Sequence, residues 1–235
     1  MSALAVATVC LQNPQIPKEQ PSGYLLFDLT FFVRELETDS APVTSTGLVR
    51  FYNTAVIDVS PTMSLYCMCV FSMAALDKDV VSGLLPNVDL SQYNFMGDIN
   101  YIVPLPGVDI LPCNSPPYFI LSGEASQVNE ATASWEMRPS FYAMGSKNAL
   151  LLVKASIPDE GRWAPRRSSN APPPPKKPVP GEKSVHTAVG RLVDIATNGP
   201  ENLLSHLRVH VDSVTFHNAR SQAPALGRST SDHTT

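Results

Sequence analysis

The sequence predicts a mostly β protein, on three observations. Runs of aromatic and β-branched residues of strand length recur along the chain, separated by turn clusters. Proline is abundant, at 22 residues, and much of it falls in turns and in one dense cluster, as suits short strands joined by irregular loops. The second half holds five such runs, with a glycine in the first and a long connection between the third and fourth, the pattern of an OB-like antiparallel barrel.

Taken in order, residues 1–22 read as a flexible N-terminal arm, because Pro14, Pro17 and Pro21 interrupt any element. Gly23 to Val33 (GYLLFDLTFFV) is the first expected strand. Gly47 to Val59 and Met63 to Leu76 follow, parted by Ser60–Pro61, and the stretch beyond Met73 is ambiguous between strand and helix. Asn94 to Val103 is the next strand. Five prolines between Val103 and Pro117 mark a connector or boundary. In the second half, Pro117 to Val128 carries Gly123, suited to a bend or bulge. Ala131 to Met144, Ala149 to Ile157, Ser184 to Ile195 and Leu207 to Phe216 complete the five. In the last, Leu207, Val209, Val211 and Ser213 face one way and Arg208, His210, Asp212 and Val214 the other.

This gives residues 23–112 as a first, degenerate OB-like domain and 113–217 as a second OB-like domain, two barrels in tandem. Residues 218–235, rich in Ser, Thr and Ala, form a disordered tail. The alternative is a single antiparallel β-sandwich, since long-range strand pairing is not readable from spacing. The third-to-fourth connection of the second domain, 158–183, contains four consecutive prolines and therefore holds no interior helix. It reads as a mobile loop outside the core from Asp159 to Glu182, with Trp163 as an anchor at its start.

Three stretches, Ile157 to Arg167 (IPDEGRWAPRR), Leu207 to Phe216 (LRVHVDSVTF) and Asn94 to Pro106 (NFMGDINYIVPLP), resemble a group of uncharacterised β proteins of mushroom-forming, basidiomycete fungi. The likeness spans roughly residues 47–217 and rests on loose patterns. It implies an OB-like fold and no activity.

Net charge is −4, but it is unevenly placed. Met1 to Met137 carries 4 basic and 14 acidic residues, while Arg138 to Arg191 carries 10 basic and 3 acidic. A basic stretch attracts phosphates or the protein's own acidic half. Its densest part is the 158–183 loop, which supplies the candidate nucleic-acid-binding residues Arg162, Trp163, Arg166, Arg167, Lys176, Lys177 and Lys183. Cations there neutralise phosphates, and the indole stacks on an unpaired base. The expected partner is single-stranded DNA or RNA. The alternative function is a protein-interaction module, in which Ala171 to Pro180 (APPPPKKPVP) offers a polyproline II ligand to a protein groove. Arg166–Arg167 and Lys176–Lys177 also loosely resemble a two-part nuclear import signal.

Enzyme patterns are scarce. There is no phosphate-binding loop, no nucleophile-elbow motif and no dinucleotide fingerprint. The histidines do not fall in a recognisable zinc motif, and Cys67 and Cys69, two apart in an apolar run, read as buried thiols rather than metal ligands. The expectation is a non-enzymatic protein without cofactor or metal. No stretch approaches the ~18 apolar residues of a membrane helix, and the N-terminus lacks a basic region ahead of its apolar run, so an intracellular location is expected.

Overall fold

The computed structural model describes residues 2–17, 23–34, 43–53, 64–105, 115–164, 175–199 and 203–217. The protein is mostly β, as its sequence predicts. The strands are β1 (Ser2–Gln15), β2 (Tyr24–Arg34), β3 (Val43–Tyr52), β4 (Leu65–Ser72), β5 (Ala74–Ala75), β6 (Phe95–Pro104), β7 (Tyr118–Asn129), β8 (Ser134–Met137), β9 (Ser140–Ala143), β10 (Ser146–Leu150), β11 (Val153–Ser156), β12 (Val185–Asn198) and β13 (Leu203–Phe216). One helix, α1 (Lys78–Leu84), follows β5, and its first turn is capped by the Asp77 carboxylate.

Strand pairing closes two rings. In the first, β1 pairs antiparallel with β2, β2 with β3, β4 with β6 and β4 with β1, and β3 runs parallel to β6. In the second, β7 takes the place of β1, β8 of β2, β11 of β3, β13 of β6 and β12 of β4, again with one parallel pair, β11 and β13. Five strands closed in this way make an OB-like arrangement. A lone sandwich does not account for the two rings. An antiparallel pairing of β1 with β7 joins them.

Two glycines sit where strands approach too closely for any side chain. A Cβ on Gly97 would lie 2.0 Å from the Ser72 carbonyl oxygen, and one on Gly190 would lie 2.1 Å from that of His210.

The N-terminal arm expected over residues 1–22 is a correction. Ser2–Gln15 is a strand hydrogen-bonded to β2, β4 and β7. Its odd-numbered residues Ala3, Ala5, Ala7 and Val9 are buried and its even-numbered ones are not, up to Thr8. That alternation is a strand signal that outweighs Pro14, which sits beyond the paired core at an irregularity between Gln12 and Gln15. Two expected strands of the second half also divide. Residues 130–133 turn, and Pro139 separates β8 from β9, because proline cannot continue a ladder. The expected strand Ala149 to Ile157 becomes the end of β10 and all of β11. The boundary at 112–113, the tail 218–235 and residues 54–63 of the expected early strands lie outside the described residues.

The core runs through both rings. Phe31, Phe71 and Phe95 group in the first, with ring centroids 5.5–6.3 Å apart. Phe119 and Trp135 fill the second.

Candidate nucleic-acid interface

The residues that the sequence singles out in the 158–183 loop do not form one patch. Trp163 lies in a 3-10 turn (Gly161–Trp163) and packs its half-buried ring against the core. Arg162 belongs to the same turn. Lys177 is engaged: its Nζ donates to the Ile157 carbonyl at 2.8 Å and pairs with Asp159 at 2.7 Å. Lys176 and Lys183 are exposed. Arg166 and Arg167 lie outside the described residues.

The expectation of a loop mobile from Asp159 to Glu182 is corrected at its described C-terminal end, while Trp163 packs on the core as the expected anchor. Val179 packs on the core and Pro180 is buried. The Lys183 amide bonds to the Ala125 carbonyl at 2.8 Å, and the Glu182 carboxylate accepts from the Val128 amide at 3.1 Å. Proline removes only ladder bonds. It leaves the apolar ring and neighbouring side chains free to dock, and docking offsets the ordering entropy. Residues 165–174 lie outside the described part.

A different surface gathers the polar groups. Strand registers place outward-facing residues in two rows across β8, β11, β13 and β12. One row is Ser134, Ser156, His210 and Arg191, and the next is Glu136, Lys154, Arg208 and Asp194. Ser134, Ser156 and His210 of the one row and Glu136, Lys154 and Arg208 of the other floor a cleft of about 430 Å³, lined also by Gln127 and Asn129. Val193 and His210 continue into a second cleft bounded by Phe32, Arg34 and Pro116. Glu160 and Arg191 continue that one into a third, which reaches Tyr118, Trp163 and Asp212. The three form one trough.

Its cations are solvent-accessible but answered by carboxylates. Lys154 stands 3.9 Å from Glu136, Arg208 stands 3.4 Å and Arg34 3.7 Å from Asp194, and Arg191 stands 2.7 Å from Glu160. The Lys154 and Arg208 side chains are 49% and 59% exposed, while their partners Glu136 and Asp194 are only 13% and 19% exposed, so the cations reach solvent from carboxylates set into the sheet. Partial burial, and then the neighbouring Arg191, hold the His210 imidazole below its usual range. Burial does the same for His206, with Lys154 and Arg208 adding to it. Tyr118 donates its hydroxyl to Asp212, which raises the phenol above its ordinary value.

The corresponding face of the first ring is roofed. Leu26, Leu48 and Met96, outward on β2, β3 and β6, lie beneath Val81 and Leu84 of α1 and beneath Ala143 and Met144 of the β9–β10 hairpin. Beside them Arg50 binds Asp98 through two nitrogens, at 2.7 and 3.2 Å, and the Met144 amide donates to the same carboxylate at 2.9 Å. Burial and the Asp28 carboxylate, 2.6 Å from its hydroxyl, raise the Tyr93 phenol. Of two equivalent faces, one is apolar and covered, and the other is polar and open.

Sequence reasoning missed this open face as a site. The signal was present in the alternation of Leu207 to Phe216, which sets Arg208, His210 and Asp212 on one side. What was missing was the partner strands that bring Lys154 and Glu136 alongside.

Among the described residues no group of three or more His, Cys, Asp or Glu is placed to hold a metal ion. The Cys67 and Cys69 sulfurs lie 3.4 Å apart in the core. The shared hydrogen bond and burial push the Cys69 thiol far up, and burial raises that of Cys10, so both are un-ionised. No helix among the described residues is long and apolar enough to cross a membrane.

No family model matches the chain, and no curated protein does. Among solved structures it is similar to the wild-type single-stranded DNA binding protein from Thermus aquaticus, at 14% identity and a TM-score of 0.45, over 97% of this chain and 96% of that one. A deletion mutant of that protein, which also carries a point substitution, aligns at 14% identity and a TM-score of 0.44, over 92% and 94%. A likeness of this strength carries no functional argument.

Proposed function

We propose that the chain binds single-stranded nucleic acid along the open face of the second ring, without catalysing a reaction. The observation that carries this reading is the pair of registered rows, which set Lys154, Arg208, His210 and Arg191 side by side on the face of an OB-like ring where oligonucleotides bind. The trough is long and open rather than enclosed, as suits an extended strand. A phosphate reaches the exposed ends of Lys154 and Arg208 while Glu136 and Asp194 stay in place beneath them. At the far end Trp163 and Tyr118 offer rings to unpaired bases. Arg162, Lys176, Lys183 and the neighbouring Arg166 and Arg167 serve as flanking cations on this reading. Because each floor cation starts in an ion pair, binding is modest, and its salt dependence is set by the few phosphates contacted.

The alternative, a polyproline ligand in Ala171 to Pro180, has less support. Lys177 is fixed in an ion pair, Val179 packs on the core and Pro180 is buried, so Lys177 to Pro180 lies against the protein itself. An intracellular location goes with the nucleic-acid reading.

The experiment is a fluorescence-anisotropy titration of labelled single-stranded oligonucleotides at several salt concentrations. Micromolar binding that weakens with salt supports the proposal. Absence of binding at low salt with tens of micromolar protein overturns it.

A further inference from the structure

The trough is electrically balanced. Among the described residues, the cations that line its three clefts are Arg34 of β2, Lys154 of β11, Arg191 of β12 and Arg208 of β13. Each lies no more than 3.9 Å from a carboxylate: Glu136 of β8, Glu160 ahead of the 3-10 turn, or Asp194 of β12. Asp212 of β13 accepts from the Tyr118 hydroxyl. At neutral pH a polyanion therefore meets a floor whose own charges cancel.

His210 stands outside that pairing. Register sets it between Ser156 of β11 and Arg191 of β12. Its side chain lines both the first cleft and the second, where the two meet. Among the described residues, nothing hydrogen-bonds to its ring nitrogens. A neutral imidazole so placed keeps one N–H donor and one acceptor for a ligand. The groups named above, with His206 four residues back on the same face of β13, are the charged and titratable side chains around it.

We propose that nucleic acid bound in the trough takes up a proton at His210, so that acidification tightens binding. This rests on the nucleic-acid reading and adds a control to it. Protonation gives the balanced floor a net positive charge. It also makes the imidazole a donor at both nitrogens, and its bond to a phosphate becomes charge-assisted. In the free chain, burial first and then Arg191 disfavour that charge, while Glu160 and Asp212 favour it. A bound phosphate shifts the balance, because it sets a negative charge beside the ring and engages Arg191. Coupling between proton and phosphate is reciprocal. Phosphate raises the affinity of the ring for its proton, and the proton raises the affinity of the floor for phosphate. Binding is therefore tightest below the pKa of the complex and weakens as pH rises through it. His206 lines none of the three clefts, so its share is smaller.

The test is fluorescence anisotropy of a rhodamine-labelled oligothymidylate at pH 7.5, 6.5 and 6.0 and one ionic strength. Neither its bases nor its phosphodiesters titrate in that range. Wild-type affinity should rise about fivefold or more from pH 7.5 to 6.0. His210→Gln keeps a hydrogen-bonding side chain that cannot charge, and should lose most of the rise. His217→Gln, at a histidine that lines none of the three clefts, should keep it. Far-UV circular dichroism at each pH checks the fold. Should His210→Gln misfold, calorimetric titration of the wild-type chain at pH 6.5 in buffers of different ionisation enthalpy still decides, since binding should take up protons. Affinity that is equal at the three pH values, or a folded His210→Gln chain that keeps the full rise, overturns the proposal and leaves the nucleic-acid reading standing. So does binding without proton uptake. Absence of binding at every pH overturns both.

Discussion

Trp135 and His186 are joined in the core of the second ring by a hydrogen bond of 2.9 Å from the indole Nε1–H to the imidazole Nε2. The other ring nitrogen, Nδ1, lies 3.3 Å from the Ser184 carbonyl and donates to it. One nitrogen accepts and the other donates, so the imidazole is neutral. Burial holds its pKa below the usual histidine value.

That pair gives a signed pH dependence. Below about pH 6.5 the unfolded chain takes up a proton that the folded His186 refuses, so stability falls as pH drops. His206 and His210 are shifted the same way and add to the effect. Urea unfolding followed by tryptophan fluorescence should show a lower midpoint at pH 5.5 than at 7.5. His186→Leu should cost about 1–3 kcal/mol at neutral pH, because the indole N–H loses its acceptor, and should flatten the pH slope. A variant with the wild-type slope would contradict the assignment.

Gly97→Ala and Gly190→Ala should each destabilise by about 3 kcal/mol or more, since the new methyl meets a backbone carbonyl that cannot rotate away. Gly83→Ala, where a Cβ meets nothing within 4 Å, should be neutral or stabilising. Urea midpoints of the three variants check this. Equal effects would mean that the strands do not approach as closely as described.

Lys177 ties the proline segment to the second ring through Asp159 and the Ile157 carbonyl. Asp159 is mostly exposed, so Lys177→Ala should cost only about 1 kcal/mol globally. Its local effect is larger. Trypsin should cut after Lys176 several times faster in the variant, because the segment is released. Unchanged cleavage would show that Val179 and Pro180 alone hold it.

Much of the β architecture is legible in the sequence. Alternation marks β7, β12 and β13, and turn clusters bound them. The first strand was hidden because Ala3, Ala5 and Ala7 carry its inward side, and alanine gives a weak apolar signal. Pro14 then drew attention to a break. The site was only half legible. Charge density points to the 158–183 loop, yet the open face is assembled from single cations on separate strands. Lys154 and Arg208 lie 54 positions apart and become neighbours only through the parallel pairing of β11 with β13. No local pattern encodes that pairing. The covering of the first ring's face likewise depends on Met144, which belongs to a hairpin of the second.

The central claim, that the open β8–β11–β13 face binds single-stranded nucleic acid, is tested most directly by the salt dependence of oligonucleotide affinity in a Lys154→Ala/Arg208→Ala variant. Both side chains are exposed, so the fold should survive the change. If each touches one phosphate, affinity should fall at least tenfold at low salt, and the slope of log affinity against log salt should shrink by about 1.4. A folded variant that binds with the wild-type affinity and slope would contradict the account.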